Sequence, residues 1–244
     1  MKFLPSFKSN FLSLLFMVFL ALIFRTFLFE PFHIPSSSMK PNLLIGDYIF
    51  VNKWSYGYGR YSLPIHIDFI DRKIFSKTPK RGDVVVFVPP KDSKRYYIKR
   101  IIGIGGDKIS IGDGKIFVND CQIIDEETGI FTDRIEELDM SVDFKVYDEK
   151  NCDSRNYQVM NLNGMPSLHI EDEYIVPESH VFMLGDNRDN SKDSRFDDVG
   201  FIPEKNLVGK ASFVGISFDI KIDFGKPSNL LKLIRYNRIF SSIN

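Results

Sequence analysis

Residues 11–29 form an apolar stretch interrupted only by Arg25. A helix needs roughly 20 apolar residues, with a range of about 17–25, to cross the hydrocarbon of a bilayer, so the stretch predicts a membrane span. Arg25 lies near its far end, where the long stem can carry the guanidinium up to the headgroups. Lys2 and Lys8 precede the span, and Lys40 is the next cation beyond it. That asymmetry predicts a cytoplasmic N-terminus with the bulk of the chain outside. Read as a cleavable signal sequence, the apolar core would be residues 11–24. The following Arg25-Thr26-Phe27-Leu28-Phe29-Glu30 has no small residues three apart, and Pro31 comes next, so an uncleaved anchor is expected. The flanking cations and Pro5 argue against a buried core helix.

Beyond the anchor the chain reads as strands and turns. Residues 44–51 and 81–88 each run from a turn into a β-rich stretch, the second stopped by Pro89-Pro90. Residues 96–104 form a third strand, and 108–111 with 115–118 a hairpin around Gly112-Asp113-Gly114. From 125 to 178 the chain turns polar and acidic with short alternating pieces, which suggests a smaller inserted β lobe; 181–184 and 207–218 return to the main sheet. Residues 228–240 alternate Lys232, Arg235 and Arg238 with apolar positions, as a solvated terminal helix or basic tail would. The expectation is a mainly β chain divided as 1–10, anchor 11–29, core 30–111 and 177–226, inserted lobe 112–176, and basic segment 227–244. The 244 residues carry no formal net charge, so no nucleic-acid footprint is expected. Cys121 and Cys152 fit no metal-ligand spacing; they would pair in an oxidising compartment and stay free thiols in a reducing one.

Three elements offer chemistry. Pro35-Ser36-Ser37-Ser38-Met39-Lys40-Pro41 sets three serines beside the span, and composition does not rank them. Ser37-Ser38-Met39-Lys40 spells S-x-x-K, but that motif needs a helical turn, which Pro41 disfavours at Lys40, and neither S-D-N nor K-T-G follows. A histidine base would have to be His33, His66, His169 or His180, none in a distinctive setting and with no G-x-S-x-G elbow present. A lysine base needs desolvation to lower a pKa near 10.4. Lys99 and Arg100 alternate on one strand with apolar neighbours on both faces, so alternation leaves open which is inside; arginine cannot be a base in either case. The third element, residues 185–195, mixes acids, bases and hydroxyls. Counted as a calcium loop from Asp189 it has Ser194 and Gly200 where glycine and glutamate belong, so a rigid salt-bridged turn is the better reading.

I-P-S-S-S-M-K-P from Ile34, R-G-D-V-V-V-F from Arg81, Y-I-K-R from Tyr97 and G-D-N-R-D-N-S-K-D-S-R from Gly185 resemble, in order and spacing, the boxes of bacterial type I signal peptidase. G-F-I-P-E-K-N-L-V-G-K-A from Gly200 continues the similarity. The resemblance implies an antiparallel β catalytic domain with a smaller β extension behind the transmembrane helix. It also implies a serine endopeptidase that cleaves signal peptides after a small-x-small motif. By motif position Ser38 would be the nucleophile, Lys99 the general base, and Ser36 an oxyanion donor beside the Ser38 amide. Ser191 would hydrogen-bond Lys99, with Asp186, Arg188, Asp193 and Arg195 as the supporting network. Phe32, Ile34, Met39, Leu43 and Ile98 would form shallow apolar substrate pockets. No cofactor and no metal are implied. The implied partners are signal peptides of exported preproteins, membrane lipid and the protein export channel, at the bacterial cytoplasmic membrane. Ser37 stands where the family often has glycine, and this chain has one span where some relatives have two.

Overall fold

The computed structural model describes residues 7–62, 73–112, 114–135, 140–161, 172–219 and 233–244. The N-terminal stretch is a helix, α1 (Phe7–Ile23), continued by a π-helical turn, Phe24–Leu28. From Phe11 to Leu28 no side chain is buried, and the helix is long and apolar enough to cross a bilayer. Phe29, expected as the last residue of the span, already has extended backbone and opens the first strand.

Seven strands build the main sheet: β1 (Phe29–His33), β2 (Asp47–Asn52), β3 (Val84–Phe87), β4 (Tyr97–Ile104), β12 (His180–Leu184), β13 (Ile202–Pro203) and β14 (Leu207–Ser217). Their order is β1-β2-β14-β3-β4-β12-β13, and every pairing is antiparallel. Pro31 has no N–H to give a ladder, and β1 is an edge strand, where proline is tolerated. All four residues of β3 are buried, which explains an unbroken apolar run in place of alternation. Strand β14 pairs with β3 through its first residues and with β2 through the rest; register shifts between Ala211 and Phe213 and between Val214 and Ile216 bend it and curl the sheet.

The acidic middle of the chain forms two smaller sheets. β5 (Lys108–Gly112), β6 (Lys115–Val118), β7 (Cys121–Gln122) and β11 (Asp172–Ile175) make one, in the order β11-β5-β6-β7. Its Ile109, Ile111, Ile116 and Val118 pack on Ile102, Phe182 and Leu184 of β4 and β12. The second sheet is a long ribbon, β8 (Ile124–Ile135) and β9 (Met140–Lys150), flanked by β10 (Asn156–Asn161). Where only short pieces were expected, β8 and β9 run to 12 and 11 residues, while β10 is short, with six. Cys121 and Cys152 are joined in a disulfide that ties the two smaller sheets together.

No α-helix occupies the described part of the basic C-terminal segment, and residues 228–232 of the possible helix lie outside the described residues. Instead residues 233–244 form a strap with one 3-10 turn, Tyr236–Arg238, laid along β14 where β3 no longer covers it. The Phe240 N–H donates to the Val214 carbonyl (2.7 Å), the Val214 N–H to Ser241 (2.9 Å) and the Ile243 N–H to Ser212 (3.0 Å). The strap thus satisfies backbone groups that an open strand edge would leave unpaired.

Candidate active site

After β1 the chain leaves the sheet at Ile34 and rejoins it at Asp47. The Ile34 N–H donates to the Asp47 carbonyl (2.9 Å) and the Gly46 N–H to the Ile34 carbonyl (3.0 Å), which closes the loop at its base. Met39 and Leu43 are buried in a core with Ile34, Ile49, Val86 and Ile98, pinning the loop from inside. Ser38 precedes this anchor and is itself buried.

Lys99 lies in the middle of β4, buried, with its Nζ 2.5 Å from the Ser38 Oγ. The Ser36 Oγ is 3.3 Å from the Ser38 Oγ, while the Ser37 Oγ accepts a bond from the Asn190 Nδ2 (2.9 Å). Geometry thus ranks the three serines that composition left equal. Lys40 is not part of this contact: it pairs with Asp133 and lies 5.8 Å from the Phe131 ring centroid. The His33 ring meets Tyr48 at a tilt (5.0 Å) and the His180 Nδ1 sits 2.9 Å from the Glu178 carbonyl; His66 and His169 lie outside the described residues.

Burial pushes the Lys99 amine down to about 8; Asp193 and Asp186 oppose that shift and Arg195 favours it. Both acids are already held by arginine. Asp186 accepts both prongs of Arg100 (2.7 and 2.8 Å), and Asp193 both prongs of Arg195 (2.7 and 2.8 Å). The Gly185 N–H also donates to Asp193 (3.0 Å), and the Arg195 Nη2 donates to the Arg188 carbonyl (2.8 Å). Arg188 donates to the Gly185 carbonyl (3.2 Å) and forms a buried pair with Glu149. The expected network of Asp186, Arg188, Asp193 and Arg195 is therefore contiguous. Its third acid, Glu149, was invisible among the charges of an acidic stretch.

Ser191 departs from expectation. Its hydroxyl is buried without a hydrogen-bond partner, so the bond to Lys99 is not formed. It nevertheless packs at the site: a Cβ on Gly185 would collide with the Ser191 side chain and come within 2.6 Å of the Ser38 carbonyl. Only glycine lets these groups converge. The lysine amine is instead turned to Ser38. Further contacts were missed by sequence reasoning although they come from the same box. The Asn187 N–H donates to the Ser38 carbonyl (3.1 Å) and its Nδ2 to the Ser37 carbonyl (3.3 Å).

A cleft of about 420 Å³ opens beside the Ser38–Lys99 contact, lined by Phe32, Ile34, Ser36, Ile98 and Tyr96 among others. The Phe32 ring meets Tyr96 edge-on at 5.2 Å. Met39 and Leu43, expected as pocket residues, do not line the cleft; they are buried in the core that includes Ile34 and Ile98. Their place in the loop directs them inward, where they hold it.

Residues 7–216 match the family described as signal peptidase, peptidase S26, and the chain belongs to that family. It is a serine peptidase, a hydrolase of peptide bonds. Signal peptidase I of Rickettsia typhi is 38% identical over 254 residues, covering 97% of this chain and 94% of the relative. That of Rickettsia akari is 39% identical over 254 residues, covering 97% and 93%. A crystal structure of a signal peptidase I from Enterococcus faecalis is similar at 23% identity and a TM-score of 0.33, covering 56% of this chain and 98% of that one.

Proposed function

We propose that this chain removes signal peptides from exported preproteins, cutting after a small-x-small motif with Ser38 as nucleophile and neutral Lys99 as general base. The observation that carries the reading is the 2.5 Å contact between a buried amine and a buried hydroxyl at the wall of an apolar cleft. The amine takes the Ser38 proton as Oγ attacks the scissile carbonyl, then returns it to the leaving amine; a water activated by the same lysine releases the acyl chain. The Ser36 hydroxyl and the Ser38 N–H are the donors for the developing oxyanion. With a pKa of about 8, roughly a tenth of the lysine is neutral at pH 7, far more than an exposed lysine would supply.

Specificity follows from the cleft. β4 pairs with β3 through Tyr97 but with β12 only from Arg100 onward, so its first residues have no strand on one side among the described residues. An extended substrate adding there presents alternate side chains to the wall of Phe32, Ile34 and Ile98, and small ones fit without overpacking. Met39 and Leu43 act by holding that wall, and Ser191 by packing beneath the serine. The unburied apolar helix supports a membrane anchor, with Phe24, Phe27, Phe29, Trp54 and Tyr58 in ring contacts at its end as an aromatic belt would be. The disulfide suits a catalytic domain on the outer side of the bacterial cytoplasmic membrane, with the N-terminus inside. Lipid, signal peptides and the export channel are the partners of that arrangement.

The test is incubation of the full chain in detergent with a labelled preprotein, followed by N-terminal sequencing of the product. One new N-terminus after a small-x-small motif is expected from the wild type and none from Ser38→Ala or Lys99→Ala. Cleavage by either folded variant, or none by the wild type, refutes the assignment.

A further inference from the structure

The C-terminal strap belongs to none of the boxes that suggested the site, yet it grips the segment that carries the serine. Asn42 is four residues beyond Ser38, at the start of the turn that leads back to the sheet. The Arg238 Nη2 donates to the Asn42 carbonyl (2.8 Å) and to the Asp47 Oδ2 (2.5 Å), and its Nε to the Asp47 Oδ1 (3.1 Å). Arg235, three residues earlier, donates to the Ile45 carbonyl (3.2 Å) and the Ser217 hydroxyl (3.1 Å). Two arginines of the strap thus hold the turn at two of its carbonyls, Asn42 and Ile45, and at its buried carboxylate.

The same turn is tied to the network under Lys99. The Asn42 Nδ2 donates to the Asp186 Oδ2 (2.7 Å), the oxygen that also receives the Arg100 Nη2. The strap reaches this network again at its end, where the Arg100 Nη1 donates to the Asn244 carbonyl (2.6 Å). Ile243 is buried in the core with Ile34, Met39 and Leu43. Serine loop, strap and lysine strand are therefore closed into one ring of contacts.

We propose that the strap is a positioning element of the active site, acting through Arg238, which fixes the turn at Asn42 and Asp47 and so holds the Ser38 hydroxyl at the Lys99 amine. The proposal rests on the Ser38–Lys99 reading above. Arg238 touches neither reacting group; it acts through the backbone of the turn. A rigid hydroxyl matters because a misplacement of about 1 Å can cost about a hundredfold in rate. The guanidinium fork is needed because an ammonium is a point charge and does not reproduce its fixed set of donors.

The experiment measures kcat, KM and thermal unfolding of the full chain in detergent, with a peptide carrying a small-x-small site. Arg238→Ala should lower kcat by about a hundredfold and Arg238→Lys by about tenfold, with KM changed by less than about twofold. Arg238→Lys keeps the charge beside Asp47 and should unfold near the wild-type temperature, so it decides the matter if the alanine variant does not fold. Tyr236→Ala, on the same strap but 62% exposed, should keep the wild-type kcat. Wild-type kcat in folded Arg238→Lys, or a loss confined to KM, would overturn the proposal and leave the strap as an edge cover only. Activity surviving in Ser38→Ala would instead sink the catalytic reading, a result that no Arg238 variant can produce.

Discussion

Lys99 and Arg100 are consecutive, both buried, and sent by the strand to opposite faces of the sheet. On the lysine side the amine meets a hydroxyl and, among the described residues, no carboxylate pairs with it. On the arginine side the guanidinium donates to both oxygens of Asp186 and to the backbone oxygens of Gly82 and Asn244, with the centre of the Tyr157 ring 3.9 Å from its carbon. Desolvation disfavours both charges; compensation decides how far each is offset. Arg100 keeps its charge because each of its three nitrogens donates a hydrogen bond, and Asp186 raises its pKa against burial. Lys99 holds its proton less tightly, with burial bringing its pKa down to about 8, because the acids near it already belong to Arg100 and Arg195. A buried cation becomes a base where the surrounding acids are spoken for.

The widest gap between the two faces is tested by Lys99→Arg. A guanidinium stays protonated, so the variant should fold and lose about 10³–10⁴-fold in kcat; turnover near the wild-type rate would show that no base is needed at this position. Next is Arg100→Met, which leaves Asp186 buried without its counter-charge. Urea unfolding should show a loss of about 3–5 kcal/mol, and adding Asp186→Leu should recover part of it. A loss under about 1 kcal/mol would mean that Asp186 is compensated from elsewhere. The smallest effect is in pH. Because only the neutral amine works and its pKa lies at about 8, log(kcat/KM) should climb with unit slope below pH 8 and then level off. That is about tenfold per unit, and a flat profile from pH 6 to 9 would contradict the assignment. The same shift has a cost in stability. The folded state binds fewer protons than the unfolded one between about pH 8 and 10.5, so the penalty for burying Lys99 is full below pH 8 and fades as pH rises through that window.

Strands with a continuous apolar run or a turn box at their start were readable: β2, β3, β4 and β14 lie where the pattern put them. The β8–β9 ribbon was not. Its Phe131, Val142, Phe144 and Val146 gather with Met160 in one small cluster, while many of the other positions are charged, so only a weak alternation marks strands of this length. The helix suggested for the C-terminal segment failed for a different reason. Spacing of Arg235 and Arg238 fits a helix face, but the unpaired edge of β14 and the carboxylate of Asp47 outweigh that local preference.

Order of residues was enough to establish an apolar helix of bilayer length, a mainly β body and, of the pair Lys99 and Arg100, which one could serve as a base, because these depend on local composition and on the chemistry of single side chains. Composition could not choose among Ser36, Ser37 and Ser38, which only the resemblance ranked, nor pair Arg188 with Glu149 or bring Arg238 to Asn42. Those contacts join residues 39 to 196 positions apart only once the sheet has curled, as the Arg188–Glu149, Ser38–Lys99 and Asn42–Arg238 bonds do. Which groups share a dry interior, and therefore which charge survives there, is decided by that closure.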